Sequence, residues 1–316
     1  MTFDPDKQAM FCPHCEGTDC ETVEPGNDSA SCVNCGAPVE VGTYNSTAVC
    51  EHCGCHMIFE SRIEGEYKPH LIMPFKIGKE KVKQIMISHF GKNLFLPGDF
   101  LGRAQLDKIQ GIYVPFWMYD YDVKYDYKGV GKKVRKWTIG NTEYTETSIY
   151  DINRSIGIDF DMIPVDASVA MEDGVMDLME PYVYSAIEEF ECKYMSGFDA
   201  EVYNYTAEQM QVRALGKVNK YSEMIMAETI TGYTSVQPTG KNIQPNLVAE
   251  NYALLPVWLY RYNYNGKNYD FYINGQTGKV VGNPPISKAK KWGYSGIFAV
   301  IIMAILNFGW ALLEIL

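Results

Sequence analysis

Basic charge is nearly missing from the first 66 residues. Lys7 and Arg62 stand against twelve carboxylates, a balance of 2 − 12 = −10. Nucleic-acid affinity rests mainly on phosphate contacts from Lys and Arg, so this segment is poorly suited to that work. The 316-residue chain shares the bias, with a net charge of −11 that repels polyanions at long range. The opening MTFDPDKQAM is polar and has no apolar stretch of a signal-peptide kind. Also missing are GxSxG, HExxH and a nucleotide-binding fingerprint. The fragment GVGKKV at 129–134 is only faintly like a phosphate loop, because it stands between strand-like segments. No catalytic set is legible, and the chain is read as a non-enzyme.

Cysteine, by contrast, is concentrated: eight of nine lie in the first 55 residues. Without an export signal, such a cluster reads as metal ligands rather than disulfides. The CxxC pairs are Cys12/Cys15, Cys32/Cys35 and Cys50/Cys53. Two such turns close a tetrahedral zinc site, but three cannot make two complete sites. Cys32, Cys35, Cys50 and Cys53 are the expected complete set for Zn2+, because Gly36 and Gly54 follow the knuckles where a tight turn needs positive φ. Cys12 and Cys15 form a half-site, which His14 and Cys20 could supplement. Cys55 and His56 are read as spare.

Three zones follow: a zinc-ribbon region over 1–66, a Tyr-rich domain over 67–290, and an apolar tail over 291–316. In the second zone, GKEKVKQIMISHF spaces Val82, Ile85, Met86 and Phe90 as a helix does. Tyr119, Tyr121, Val123, Tyr125 and Tyr127 alternate with charged residues, the period of a strand with one wet face. Gly129 and Gly131 are expected to punctuate a turn. VPFWMYDYDVKYDY at 114–127 is echoed by LPVWLYRYNYNGKNY at 255–269, each after a helix-like stretch. The echo suggests a duplicated helix-plus-antiparallel-sheet unit, with the matched Trp and Tyr residues in its core. Asn265-Gly266 is a tight-hairpin signal. The run 297–313 is apolar apart from Asn307 and follows Lys288, Lys290 and Lys291, which predicts a single transmembrane helix. The fold class expected is therefore α+β: an N-terminal zinc ribbon, a duplicated middle domain and one C-terminal membrane span.

The stretches TAVCEHCG, LIMPFKI, GIYVPFWMYDYDV, TEYTETSIYDI, IPVDAS, YALLPVWLYRYNYNGKNY and NGQTGKVVG together resemble the bacterial TFIIB-type zinc ribbon-containing proteins. That Firmicutes-type family is often mislabelled as replication helicases. Its members often begin with two four-Cys ribbons, so the resemblance implies that Cys12/Cys15 is the remaining half of the first. Many also continue past the first membrane segment. The family implies partners of phage-shock or SPFH-like type. The combined expectation is an adaptor at the cytoplasmic membrane, single-pass with its large N-terminal part in the cytoplasm. It would dock protein partners there, in a response to membrane stress. The competing reading is a nucleic-acid-binding zinc-ribbon protein.

Overall fold

The computed structural model describes residues 1–12, 18–19, 31–32, 34–40, 42–169, 171 and 173–313. Its first strands, β1 (Thr2–Asp4), β2 (Ala9–Phe11) and β3 (Thr18–Asp19), form a small antiparallel sheet. Phe3 ties that sheet to the body: its N–H donates to the Ser196 carbonyl, and its buried ring meets Tyr194 edge-on at 5.1 Å. β4 (Thr47–Val49) and β5 (His56–Ile58) pair as the hairpin of the Cys-rich region.

The remaining elements are β6 (Leu71–Ile72), α1 (Lys79–Phe90), α2 (Arg103–Leu106), β7 (Gln110–Ile139), β8 (Thr142–Asp166), α3 (Asp173–Met179), β9 (Glu188–Glu189), β10 (Asp199–Ala200), α4 (Ala207–Thr229), β11 (Ser235–Tyr264), β12 (Lys267–Asn274), β13 (Val280–Val281) and α5 (Lys288–Leu313). One eight-stranded sheet runs β10-β7-β11-β12-β13, with β8 beside β7, β6 beside β11, and β9 beside β6. Strand dominates, and the expected α+β class built from a duplicated unit is corrected to a mostly β fold. The two echoing stretches are not separate helix-plus-sheet units. They lie antiparallel within one sheet, with Val114 opposite Leu255. Periodicity reports the face a residue takes, and it carries no information on whether two similar strands share a sheet.

At 30 residues each, β7 and β11 are far longer than an ordinary strand. At ~3.3 Å per residue, β7 has a contour of ~100 Å. Near its start both faces are covered. Tyr113, Trp117 and Tyr119 point into the larger cluster, which includes α1 and α4 residues, while Val114, Phe116 and Met118 pack with Met176 and Met179. Farther along only one face is buried. Tyr121, Val123, Tyr125 and Tyr127 are covered while Asp122, Lys124, Asp126 and Lys128 are exposed, as the alternation predicts.

The buried face of α4 presents Ala214, Val218, Ser222 and Met226. Its start is fixed by a capping box in which the Thr206 side chain accepts from the Gln209 N–H and Gln209 reaches back to the Thr206 N–H. The predicted helix over 78–90 forms as α1, burying Val82, Met86 and Phe90. Trp117 and Trp258 are buried, and each indole N–H donates to a main-chain carbonyl, of Tyr205 and Ile77 respectively.

The turn expected at Gly129 and Gly131 is absent, since both lie inside β7. Gly131 is needed for packing instead: a Cβ there would stand 2.5 Å from the Tyr233 ring. The chain reverses later, between Ile139 and Thr142, where Gly140 takes φ +61°. Asn265 and Gly266 take φ +54° and +76° and join Tyr264 to Lys267 in the predicted tight hairpin.

A second correction concerns the tail. Among the described residues, no helix is long and apolar enough to cross a membrane. The transmembrane helix expected over 291–316, and with it the single-pass membrane location, are not supported. α5 starts among Lys288, Lys290 and Lys291, and its described side chains end at Ile305.

Candidate metal centre

Two knuckles of like geometry build the site. The Gly36 N–H donates to the Cys32 carbonyl and the Gly54 N–H to the Cys50 carbonyl, each at 2.8 Å. Both glycines take φ +72°, the left-handed conformation that an L side chain resists. Each turn is then closed by a bond that spans five positions, from Cys32 N–H to the Ala37 carbonyl and from Cys50 N–H to the Cys55 carbonyl. β4 and β5 carry the second knuckle between them, so hairpin register fixes where its sulfurs lie.

The sulfurs of Cys32, Cys35, Cys50 and Cys53 all lie within 4.8 Å of one another. Cys32 to Cys53 is 3.5 Å and Cys35 to Cys50 is 3.7 Å. A tetrahedron with metal–sulfur bonds of ~2.3 Å has edges of ~3.8 Å, so these four residues can hold a metal ion with little movement. Cys32 and Cys50 are buried and Cys35 and Cys53 face outward. N–H groups favour the thiolate form. Backbone hydrogen bonding, chiefly at Cys35, lowers Cys32 to about 6 against burial. Cys53 is also lowered, first by backbone hydrogen bonding at Cys55 and then by the Asn34 side chain. Asn34, inside the first knuckle, donates from its N–H to Cys32 Sγ at 3.4 Å and from Nδ2 to Cys53 Sγ at 3.6 Å. An Asn inside CxxC carries no metal-ligand signal, and the sequence reading missed it.

Of the other sequence candidates, Cys12 is described but Cys15, His14 and Cys20 lie outside the described residues. Cys55 packs against the four without joining their cluster of sulfurs, and its thiol donates to the His56 carbonyl. His56 is half-buried, and its Nδ1 lacks a hydrogen-bond partner among the described residues. Burial lowers its pKa against the pull of Asp199.

The ribbon is fastened to the root of the sheet. Ser46 N–H donates to the Ala200 carbonyl at 2.8 Å, Ala200 N–H to Thr47 Oγ1 at 2.7 Å, and Val202 N–H to the Tyr44 carbonyl at 2.8 Å. Ala200 belongs to β10, which pairs in parallel with β7 at Ile112 and Tyr113. Thr47 and Ala200 are 153 positions apart, and nothing local in the sequence marks such bonds.

Fold and site together define a β-sheet protein carrying a four-cysteine ribbon at the root of a very long antiparallel sheet. No family model matches the chain, and no solved structure does. It is 38% identical over 250 residues to YdjG of Bacillus subtilis (strain 168), described as an uncharacterized protein. The match covers 78% of this chain and 73% of that one, and the chain belongs to the YdjG family.

Proposed function

We propose that the protein is a non-enzymatic adaptor whose ribbon closes around Zn2+ and presents a rigid docking surface to protein partners. The observation that supports this most directly is the donor set. Four thiols at tetrahedral spacing suit zinc and leave no position open for a substrate or an activated water. The hydrogen bonds of Tyr44, Ser46 and Thr47 with Ala200 and Val202 fix the ribbon to the sheet, so a partner held on one is held to the other. The acidic balance of the first 66 residues favours protein over nucleic acid as the occupant. The likeness to TFIIB-type ribbon proteins belongs to this reading, and phage-shock-type and SPFH-like proteins are the first partners to test.

The experiment is site-specific photo-crosslinking in cells from a reactive side chain at Tyr44 or Val49, both exposed on the ribbon, with Val212 on α4 as the remote position. The expected result is the same protein species from both ribbon positions, absent from Val212 and lost after Cys32→Ser. Nucleic acid in the crosslinks, or equal labelling from all three positions, would overturn the reading.

A further inference from the structure

Beyond the pairings of β6, β10 and β12, the sheet narrows to β8, β7 and β11, whose two outer edges are built differently. β11 carries Pro238 and Pro245 and shifts register at Pro238/Gly240 and at Leu247/Ala249. Proline has no N–H to offer and irregular register bends the edge, and both discourage strand addition. β8 is the opposite case. It has no proline from 142 to 163, and its pairing with β7 is unbroken from the Asp122↔Asp159 pair to the Ile139↔Thr142 pair. It is rich in β-branched residues, including Thr145, Thr147, Ile149, Ile152 and Ile156. Among the described residues no strand pairs with its outer side.

The two faces of that edge differ as well. Tyr150, Ile152 and Ile156 lie on the side of the buried tyrosines, opposite Gly131, Gly129 and Tyr125. Asp151, Asn153, Ser155 and Asp159 lie on the wet side. Over 142–161 the strand carries Glu143, Glu146, Asp151, Asp159 and Asp161 against Arg154, a balance of 1 − 5 = −4. A second copy of β8 would bring that charge against itself, whereas a basic segment would meet its complement.

We propose that the outer edge of β8 accepts an added strand from a partner protein, an extended proline-free segment that alternates apolar side chains with Lys or Arg. Main-chain hydrogen bonds supply the affinity and the alternation sets the register. Apolar side chains of the added strand lie beside Tyr150, Ile152 and Ile156, and its bases beside Asp151 and Asp159. This site is separate from the four-cysteine ribbon, and it stands or fails independently of the ribbon's role.

The test uses the full chain and labelled ten-residue peptides that alternate Val with Lys. The controls are a Val/Glu peptide and a Val/Lys peptide with two central prolines. The Val/Lys peptide binds at least tenfold more tightly than either control. The Asp151→Lys, Asp159→Lys double variant weakens it about tenfold, and binding slows amide hydrogen exchange in β8. Equal binding of the proline peptide would reduce the effect to charge attraction and overturn the proposal. So would a chain that dimerises without peptide and already protects the β8 amides, since the edge would then belong to a second copy.

Discussion

Val114 and Leu255 stand opposite each other in the β7–β11 ladder, and each opens a copy of the same motif. The two copies therefore run away from one point in opposite directions. Trp117 lands opposite Tyr252 and Trp258 opposite Gly111, both buried and both donating to carbonyls outside the ladder. Replacing either Trp by Phe removes one buried hydrogen bond and leaves a small void. Each change costs about 1–3 kcal/mol of unfolding free energy in urea titrations.

Metal content gives the next prediction. The purified chain binds about one Zn2+ per molecule at Cys32, Cys35, Cys50 and Cys53, measured by a colorimetric release assay. Cys50→Ser abolishes it. Chelation unfolds the ribbon while leaving the far-ultraviolet signature of the sheet in place, because the long ladders do not pass through the knuckles. A structural zinc centre of this kind contributes on the order of 10 kcal/mol to folding of its own module.

Two glycines respond in opposite directions. Gly131→Ala forces a Cβ against the Tyr233 ring and costs about 1–3 kcal/mol. Gly216 lies inside α4, where an added Cβ would meet nothing within 4 Å. Gly216→Ala stabilises by about 0.5–1 kcal/mol through helix propensity. Thermal melts of the two variants separate these signs.

An ion-pair network pins α4 to the sheet and sets a pH dependence. Lys217 Nζ donates to the Pro164 carbonyl and contacts Asp177 at 2.8 Å and Glu180 at 2.7 Å, while Arg213 reaches Asp166 and Asp177. Burial alone would raise the Asp177 carboxyl, but the hydrogen bond and charge of Lys217, with Arg213, hold it below its ordinary value of 3.8. A lowered folded-state pKa means that this stability is fully present above about pH 4 and is lost as pH falls through the folded value. Lys217→Met flattens that acid limb in urea titrations between pH 5 and pH 2. It also costs about 1–3 kcal/mol at neutral pH, by leaving the Pro164 carbonyl and Glu180 without this partner.

What the sequence made legible was local. The four cysteines with their following glycines, the Asn265-Gly266 reversal, the α1 spacing and the one-sided tyrosine strand all depend on neighbours within a few positions. What it hid was distant. Gly131 carries the same signal whether it turns the chain or admits a neighbouring ring, and only Tyr233, a hundred positions on, decides between them. The matched motifs were visible as an echo, but their pairing across Val114 and Leu255 was not. Apolar residues after Ile297 read as a span by composition, whereas no helix among the described residues is long and apolar enough to cross a membrane.

The central strand also imposes an order on synthesis. β7 must wait for β11, since Lys132 meets Ser235 and Gln110 meets Leu259. At roughly 5–20 residues per second, the ribosome leaves that flank of β7 uncovered for about 5–30 s. During that interval β7 can pair with β8 and, at Ile112 and Tyr113, with β10, and the tyrosines that α4 covers face water until that helix is made. Nascent chains stalled before α4 are therefore the species most exposed to misassociation, and slow codons beyond position 166 would lengthen their lifetime.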